Sequence, residues 1–235
     1  MSSRQEEKEQ RRLEREQQEA VERRGANRKA RVRMALGALA ALAVIGGIVA
    51  LLLSQSGDGG GNDDGRRTAT NVDGVTLPEP VTTSLQDAAK TAGCELTNAK
   101  FEGAGHEERK FTAADYKSNP PTSGAHFPTW YEDGIYEPGS VPDLGQLVHT
   151  LEHGRINVQY KPGTPAQTVK QLEAFAAEKT GYHLLLYENT TDMPFAVAAT
   201  AWTQTLSCDE MKPEVFDALR TFYQQYVDKG PEQVQ

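Results

Sequence analysis

The sequence predicts a single exported domain of the α/β or α+β class, preceded by one transmembrane helix. Three observations support this prediction. An uncharged run covers residues 34–53, strand and helix patterns alternate between residues 155 and 227, and the last ~165 residues suffice for one domain with a hydrophobic core. For the C-terminal half of that domain we expect the order strand-helix-strand-strand-helix, packed on one sheet.

The chain begins with a strongly charged segment. Residues 1–33 contain 11 basic and 7 acidic side chains, which gives a net charge of +4. Opposite charges four residues apart, such as Glu7 and Arg11, favour a solvated helix. We interpret residues 1–33 as a charged cytoplasmic stub whose basic end lies against anionic lipid.

Residues 34–53 form an apolar run without a charged side chain. A helix of this length rises about 30 Å, which matches the hydrocarbon core of a bilayer. Basic residues crowd its N-terminal side, so the positive-inside rule keeps the N-terminus in the cytoplasm and places residues 54–235 outside the cell membrane. A buried core helix and a cleavable signal peptide are the alternatives. Because the apolar core of a signal peptide spans only about 7–15 residues, we favour an uncleaved anchor.

The part that follows the apolar run is acidic. Residues 54–70 are rich in Gly and Asp and are predicted to form a flexible tether, which leaves residues 71–235 as the exported globular domain. Residues 54–235 carry 14 basic and 26 acidic side chains, a net charge of −12 against −8 for the whole chain. Such a domain repels phosphates, which argues against nucleic-acid binding.

The first half of the exported domain shows little regular patterning. Residues 72–80 look extended, and Leu85–Ala92 is a short helical segment that Gly93 would end. Cys94 opens a stretch with partial strand alternation. Residues 112–145 hold five prolines and several glycines, so this segment is either a long ordered loop or a disordered one.

The second half alternates helix and strand patterns. Thr164 and Pro165 predict a helix cap followed by proline at the first helical position. If the first two strands are neighbours, they should be parallel and joined by a right-handed crossover. The predicted elements are a helix over Leu144–His153 ended by Gly154, a strand over Arg155–Tyr160, a helix from Pro165 to Lys179, strands over Tyr182–Tyr187 and Phe195–Trp202, and a helix over residues 213–227.

Cys94 and Cys208 are the only cysteines of the chain. Both lie in the part predicted to be exported, where thiols are oxidised, so we expect a disulfide between them. In the chain-entropy model a loop of this length stabilises a fold by up to about 4–5 kcal/mol. Ligation of a soft metal by the two thiolates is the alternative.

Four of the five histidines lie between residues 106 and 153. His149 and His153 are four residues apart on a predicted helix, so both imidazoles lie on one face, a spacing that suits a first-row metal ion. With Glu152 they complete the pattern H-x-x-E-H, in which a carboxylate activates a zinc-bound water. His126 follows a stiff Pro-Pro turn that can aim its side chain, whereas His106 lies beside two glutamates.

We predict a three-histidine metal site formed by His126, His149 and His153, with His106 or Glu152 as the fourth ligand. Imidazole suits copper and zinc alike, so the sequence leaves the ion open between these two. The alternative is that these side chains only hydrogen-bond the long loop to the helix. The fifth histidine, His183, lies in an apolar segment and is expected to be a core residue.

Several motifs of the exported domain are unusually specific. Tyr116–His126 reads Y-x-S-N-P-P-T-S-G-x-H, Trp130–Tyr136 reads W-x-x-x-G-x-Y, Leu147–Gly154 reads L-V-H-T-L-E-H-G, Ala199–Trp202 reads A-T-A-W and Lys229–Glu232 reads K-G-P-E. Together these motifs resemble the domain of unknown function 3105 family, found largely in bacterial membrane-anchored proteins, over roughly residues 90–232. The resemblance implies no established activity, substrate or cofactor. It makes the metal hypothesis more attractive, because the family pattern includes the four clustered histidines.

We therefore predict a single-pass membrane protein whose extracytoplasmic domain is a metal-binding module for copper or zinc. A structural or protein-interaction domain of the cell envelope without metal is the first alternative. A zinc hydrolase that uses Glu152 is the second, although the short helix before Gly154 is unlike the long helix of a zincin. We favour a binding module over an enzyme.

Overall fold

The computed structural model describes residues 65–232 of the 235-residue chain. The predicted stub (residues 1–33), the predicted transmembrane helix (residues 34–53) and most of the predicted tether lie outside the described residues. Within residues 65–232, no helix is both long and apolar enough to cross a membrane. The membrane anchor therefore stays a prediction from the sequence.

The described residues form a mixed α+β fold around one seven-stranded sheet. The strands are β1 (Arg66–Arg67), β2 (Glu95–Asn98), β3 (Gly134–Tyr136), β4 (Ile156–Tyr160), β5 (Leu184–Glu188), β6 (Val197–Ala201) and β7 (Gln204–Cys208). The α-helices are α1 (Leu85–Ala92), α2 (Leu144–Glu152), α3 (Ala166–Glu178) and α4 (Val215–Tyr226). The strand order across the sheet is β1-β3-β5-β4-β6-β7-β2.

The first two strands of the C-terminal half are neighbours in the sheet, and their relative direction is the one predicted for that case. β4 and β5 are parallel neighbours, with Ile156 opposite Leu184, and α3 connects them. β3 also runs parallel to β5, whereas the remaining pairs in the sheet are antiparallel. The parallel pairs lie in the interior of the sheet, where side chains on both faces are buried.

Alternating side chains of β5 show that both faces of the sheet are covered. Leu184 and Leu186 join the main core, which is built with α1, α3 and α4. Leu185 and Tyr187 point to the opposite face and pack with Leu147 of α2. Because side chains in a strand alternate with a period of two, α2 lies on its own side of the sheet, away from the other three helices.

The C-terminal half contains one strand more than predicted. The order is strand-helix-strand-strand-strand-helix, because β6 and β7 form a hairpin around Trp202 and Thr203. Thr203 adopts a φ of 62°. Two-residue hairpin turns usually place Gly or Asn in such a conformation, so the sequence Trp-Thr gave no recognisable turn signal.

Two boundaries of the second half also differ from the prediction. α3 begins at Ala166 with Pro165 as its N-cap residue, and the Thr164 hydroxyl donates to the carbonyl of Lys161 at 2.6 Å instead of capping the helix. β5 begins only at Leu184. His183 precedes it with a φ of 42° and bonds Asp228 at 2.6 Å near the surface, so its prediction as a core histidine is wrong.

The long Pro-rich segment is an ordered loop, the first of the two predicted alternatives. It contains a short 3-10 helix over Ala113–Asp115 and the buried strand β3. β3 pairs with β1, which lies at the end of the predicted tether (residues 54–70). The sheet therefore begins before residue 71, the predicted start of the domain, because the backbone of Arg66 and Arg67 pairs with the distant strand β3.

The predicted disulfide is confirmed. Cys94 and Cys208 are bonded across a separation of 114 residues, at the edge where β2 pairs with β7. Gly93, just before Cys94, ends α1 in the left-handed conformation with a φ of 64°, as its position predicted. Since both sulfur atoms are in the disulfide, the alternative of thiolate ligation to a metal is wrong.

Candidate metal site

The site begins with a parallel contact between two loop segments. His106 and His126 form an isolated bridge: the His126 N–H donates to the Gly105 carbonyl at 2.9 Å, and the Glu107 N–H donates to the His126 carbonyl at 2.8 Å. The Tyr116 hydroxyl adds a bond to the carbonyl of Ala125 at 2.9 Å. These backbone bonds hold two histidines, twenty residues apart in sequence, side by side on the α2 side of the sheet.

α2 supplies the other side of the site. His149 and Glu152 are three residues apart, which places both on one face of this helix. The helix ends at Glu152, and Gly154 turns the chain into β4 with a φ of 79°. Asn157 in β4 anchors the helix, because its amide donates to the carbonyl of Leu147 at 2.9 Å.

Four side chains from these elements form a group that we call the inner group. One potential ligand atom from each member lies within 4.8 Å of those of all the others. His126, His149 and Glu152 are buried, and the remaining member reaches the surface. The members of the inner group are His106, His126, His149 and Glu152.

Backbone carbonyls orient two of the imidazoles. Nδ1 of His126 lies 2.8 Å from the carbonyl oxygen of Gly124, and Nδ1 of His149 lies 2.7 Å from that of Phe127. A carbonyl only accepts, so each Nδ1 carries the proton and each Nε2 keeps its lone pair when the ring is neutral. Metal-binding histidines are commonly oriented in this way by a second hydrogen bond.

The two most buried members of the inner group meet at close range. Nε2 of His126 lies 2.9 Å from Oε2 of Glu152, and neither atom has a hydrogen-bond partner among the described residues. Nε2 of His106 lies 3.5 Å from the same carboxylate oxygen. Buried polar atoms are nearly always paired, so this cluster of lone pairs is arranged as cation ligands are.

A second group adjoins the first and shares His149 with it. We call it the rim group, and its members are His149, His153 and Glu232. Nε2 of His153 lies 3.0 Å from Nε2 of His149 and 3.4 Å from Oε2 of Glu232. The side chain of Glu232 is 49% exposed, whereas that of Glu152 is only 4% exposed. The rim group therefore connects the buried inner group to the surface.

The C-terminal segment, residues 228–232, carries Glu232 to the rim group. The Asp228 N–H donates to the Gly154 carbonyl at 2.9 Å, and the Glu232 N–H donates to the Glu152 carbonyl at 3.0 Å. Gly230 lies directly against the backbone of Glu152 and Gly154, where no Cβ has room. The segment is thus fixed across the end of α2 by backbone contacts.

The two tryptophans of the chain lie against the two groups, and the ring of Trp130 also lies 5.5 Å from that of the shared His149. The ring of Trp130 lies 4.4 Å from that of His153, between centroids, and at 66° to it. The ring of Trp202 lies 6.0 Å from that of His126 and meets it edge-on at 89°. These indoles pack against the imidazoles and limit the positions that each ring can take.

Burial sets the protonation states in the site. It lowers the pKa of His126 and of His149, and it lowers the pKa of His153 to about 4. Burial also raises the pKa of Glu152, with the negative charge of Glu232 as the next cause. The three buried imidazoles are therefore neutral at pH 7, which is the form that binds metal ions.

The structure brings together all the residues that the sequence singled out, but in a different grouping. His126 and His149 share the inner group with both candidates for a fourth ligand, His106 and Glu152, whereas His153 lies in the rim group. A carboxylate oxygen of Glu152 is itself one of the potential metal ligands. In the hydrolase alternative, this carboxylate would instead act as a base on a metal-bound water. Sequence reasoning missed Glu232 as a site residue, although it is the last residue of the K-G-P-E motif.

Comparisons with known proteins identify one family. The family described as "Protein of unknown function (DUF3105)" matches residues 108–235, just over half of the chain. No curated protein and no solved structure shows significant similarity to the chain. The matched residues include both groups except for His106, which lies two residues before the match. The chain belongs to the DUF3105 family.

Proposed function

We propose that this protein is a membrane-anchored, extracytoplasmic module that binds one divalent first-row metal ion through the inner group. The observation that carries the proposal is the contact between Nε2 of His126 and Oε2 of Glu152, 2.9 Å apart, buried and without hydrogen bonds. A bound cation would interact favourably with both lone pairs, whereas the two acceptors by themselves repel each other.

The donor set supports Zn²⁺ and Cu²⁺ as ions for the inner group. Three imidazole nitrogens and one carboxylate oxygen are borderline ligands that suit both divalent ions. Cu⁺ prefers soft sulfur ligands. The cysteines are joined in a disulfide, so they supply no thiolate. The depressed pKa of His126 and of His149 keeps these ligands deprotonated without the help of a metal.

The extracytoplasmic location is supported by one feature of the sequence and one feature of the structure. Residues 34–53 are uncharged and follow a basic segment, which orients a membrane span with its C-terminal side outside. Disulfides persist in oxidising compartments, and the domain contains one between Cys94 and Cys208. A membrane-anchored domain with a histidine site is suited to capturing metal ions at the cell surface.

Metal analysis of the full chain tests this proposal. The protein is purified in detergent without a histidine tag, exposed to Zn²⁺ or Cu²⁺, dialysed, and measured for bound metal. We expect one ion per chain, lost in a His126→Ala/His149→Ala double variant and retained in a His183→Ala control. Wild-type protein without bound metal would contradict the proposal and favour a structural role for the histidines, in which the same variants only lower thermal stability.

A further inference from the structure

We infer that the rim group is the entry site for the metal ion. An incoming ion binds first to His153 and Glu232 and then passes to the inner group through His149. This inference rests on the proposed function and names the route by which that site is filled. It assigns a role to two residues, His153 and Glu232, that the inner group does not use.

The shared histidine makes the two groups exclusive of each other. Nδ1 of His149 donates to the carbonyl of Phe127 at 2.7 Å, so only Nε2 is available to a metal ion. A single lone pair binds one ion at a time. His149 therefore serves either the rim group or the inner group, and an ion moves between them by exchanging ligands while it stays bound to this nitrogen.

The distances fit a transfer between neighbouring positions. A ring nitrogen of His149 lies within 4.8 Å of a ligand atom from every other member of each group, and its Nε2 lies only 3.0 Å from Nε2 of His153. Nδ1 of His153 is buried and has no hydrogen-bond partner among residues 65–232, so the ring is held by packing against Trp130 and not by a hydrogen bond at that atom. The Nε2–H of His153 donates to Nε2 of His149, so an ion that binds in the rim group takes the place of this one hydrogen bond.

The burial and charge of the two carboxylates set the direction of uptake. Glu232 is half exposed and lies on the surface segment, where its negative charge attracts cations from solvent. Glu152 is buried beside two further imidazoles of the inner group, which offers four ligands against three in the rim group. An ion therefore binds more tightly in the inner group, and the rim group provides the way in and out.

Loading kinetics of the full chain in detergent test this inference with Cu²⁺ as the probe. In Glu232→Gln we expect Cu²⁺ binding and its removal by excess chelator to slow by the same factor, about tenfold. The equilibrium affinity then stays unchanged, because a step on the path changes both rates together. Glu210→Gln is the control and should load at the wild-type rate. It makes the same charge change just after the C-terminal end of β7, whereas Trp202 lies before the N-terminal end of that strand.

The two tryptophans provide a second measurement that does not depend on Glu232. Trp202→Phe leaves Trp130 beside the rim group as the sole indole, and Trp130→Phe leaves Trp202 beside the inner group. Cu²⁺ quenches indole fluorescence at short range. On rapid mixing with Cu²⁺, we expect the signal of Trp130 to fall before that of Trp202.

The outcomes separate this inference from the proposed function. Two results with wild-type protein that binds Cu²⁺ would contradict the inference: Glu232→Gln that loads at the wild-type rate, or quenching of Trp202 before Trp130. Either result would show that the ion enters from the exposed His106 side and not through the rim group. If Glu232→Gln only weakens equilibrium binding, Glu232 is an ordinary ligand and the inference again fails. If wild-type protein binds no metal ion, the proposed function itself is overturned.

Discussion

Nε2 of His126 lies 2.9 Å from Oε2 of Glu152, although 26 residues separate the two in the sequence. His126 is completely buried, and the hydrogen bond from its Nδ1 to Gly124 fixes which nitrogen faces the carboxylate. The backbone bridge between His106 and His126 sets one side of this contact, and the last turn of α2 sets the other. The two elements are also joined directly, because Nδ1 of His149 donates to the carbonyl of Phe127, so the geometry that could hold a cation is fixed from both sides.

Replacement of one inner ligand should abolish tight metal binding. Removing a hydrogen-bond partner of a ligand costs about 10–100-fold in affinity, and removing the ligand itself costs more. We therefore expect His126→Ala to weaken Zn²⁺ binding more than about 100-fold in a competition assay with a chelator. His183→Ala is the matched control, since His183 bonds Asp228 outside both groups. Equal affinities of the two variants would contradict the assignment.

The metal-free protein should lose stability in mild acid. Unfolded histidines titrate near 6.5, and burial lowers the pKa of His153 to about 4 and also lowers those of His126 and His149. Between these values the unfolded chain binds more protons than the folded domain, so the free energy of unfolding falls as the pH drops through this window. Glu152, whose pKa is raised by burial, works in the opposite direction as a single group against three.

Denaturant unfolding of the metal-free protein at about pH 7 and about pH 5 measures this dependence, and we expect a loss of about 1–3 kcal/mol at the lower pH. His153→Gln should flatten the dependence, because its side chain does not titrate. A free energy of unfolding that is unchanged or higher at the lower pH would show that the buried histidines are not held neutral by the fold.

Gly230→Ala should displace the C-terminal segment from the end of α2. A Cβ at this position overlaps the backbone of Glu152 and Gly154, which cannot yield as a flexible side chain does. We expect a loss of about 1–3 kcal/mol in stability and slower metal uptake, because Glu232 leaves the rim group. Gly105→Ala is the control: its Cβ meets open space and its φ is not in the left-handed region. Thermal unfolding that matches the wild type in both variants would contradict the packing described.

Loss of the disulfide should weaken the fold without changing the site. The bond between Cys94 and Cys208 closes a loop with a separation of 114 residues, which corresponds to about 4 kcal/mol in the chain-entropy model. A Cys94→Ser/Cys208→Ser variant should therefore unfold at a lower denaturant concentration. Its Zn²⁺ affinity should equal that of the wild type under conditions where it is folded, because the sulfur atoms are in neither group. A large change in affinity would contradict this separation.

Local sequence signals predicted the elements that depend only on neighbouring residues. Gly93 marks the end of α1 because glycine enters the left-handed conformation at low cost. The alternation of residue types in β4 marks a strand because successive side chains of a strand point to opposite faces. The spacing of His149 and Glu152 likewise follows from helix geometry alone. By contrast, β1 consists of only two arginines and pairs with a strand some 70 residues away. A segment of two residues carries no local pattern from which that pairing could be predicted.

The sequence by itself determined a mixed class of helices and strands, the one possible disulfide pair and the residue types of a candidate metal site, because each of these can be read from local pattern and residue identity. Only the tertiary structure decided how those residues are grouped, because the grouping depends on contacts between distant segments. The bridge at His126 brings in His106, the end of α2 turns His153 away from the inner group, and the C-terminal segment adds Glu232 from 79 residues beyond His153. The sequence shows which side chains are able to bind a metal ion. The distances between these side chains depend on the packing of the whole domain.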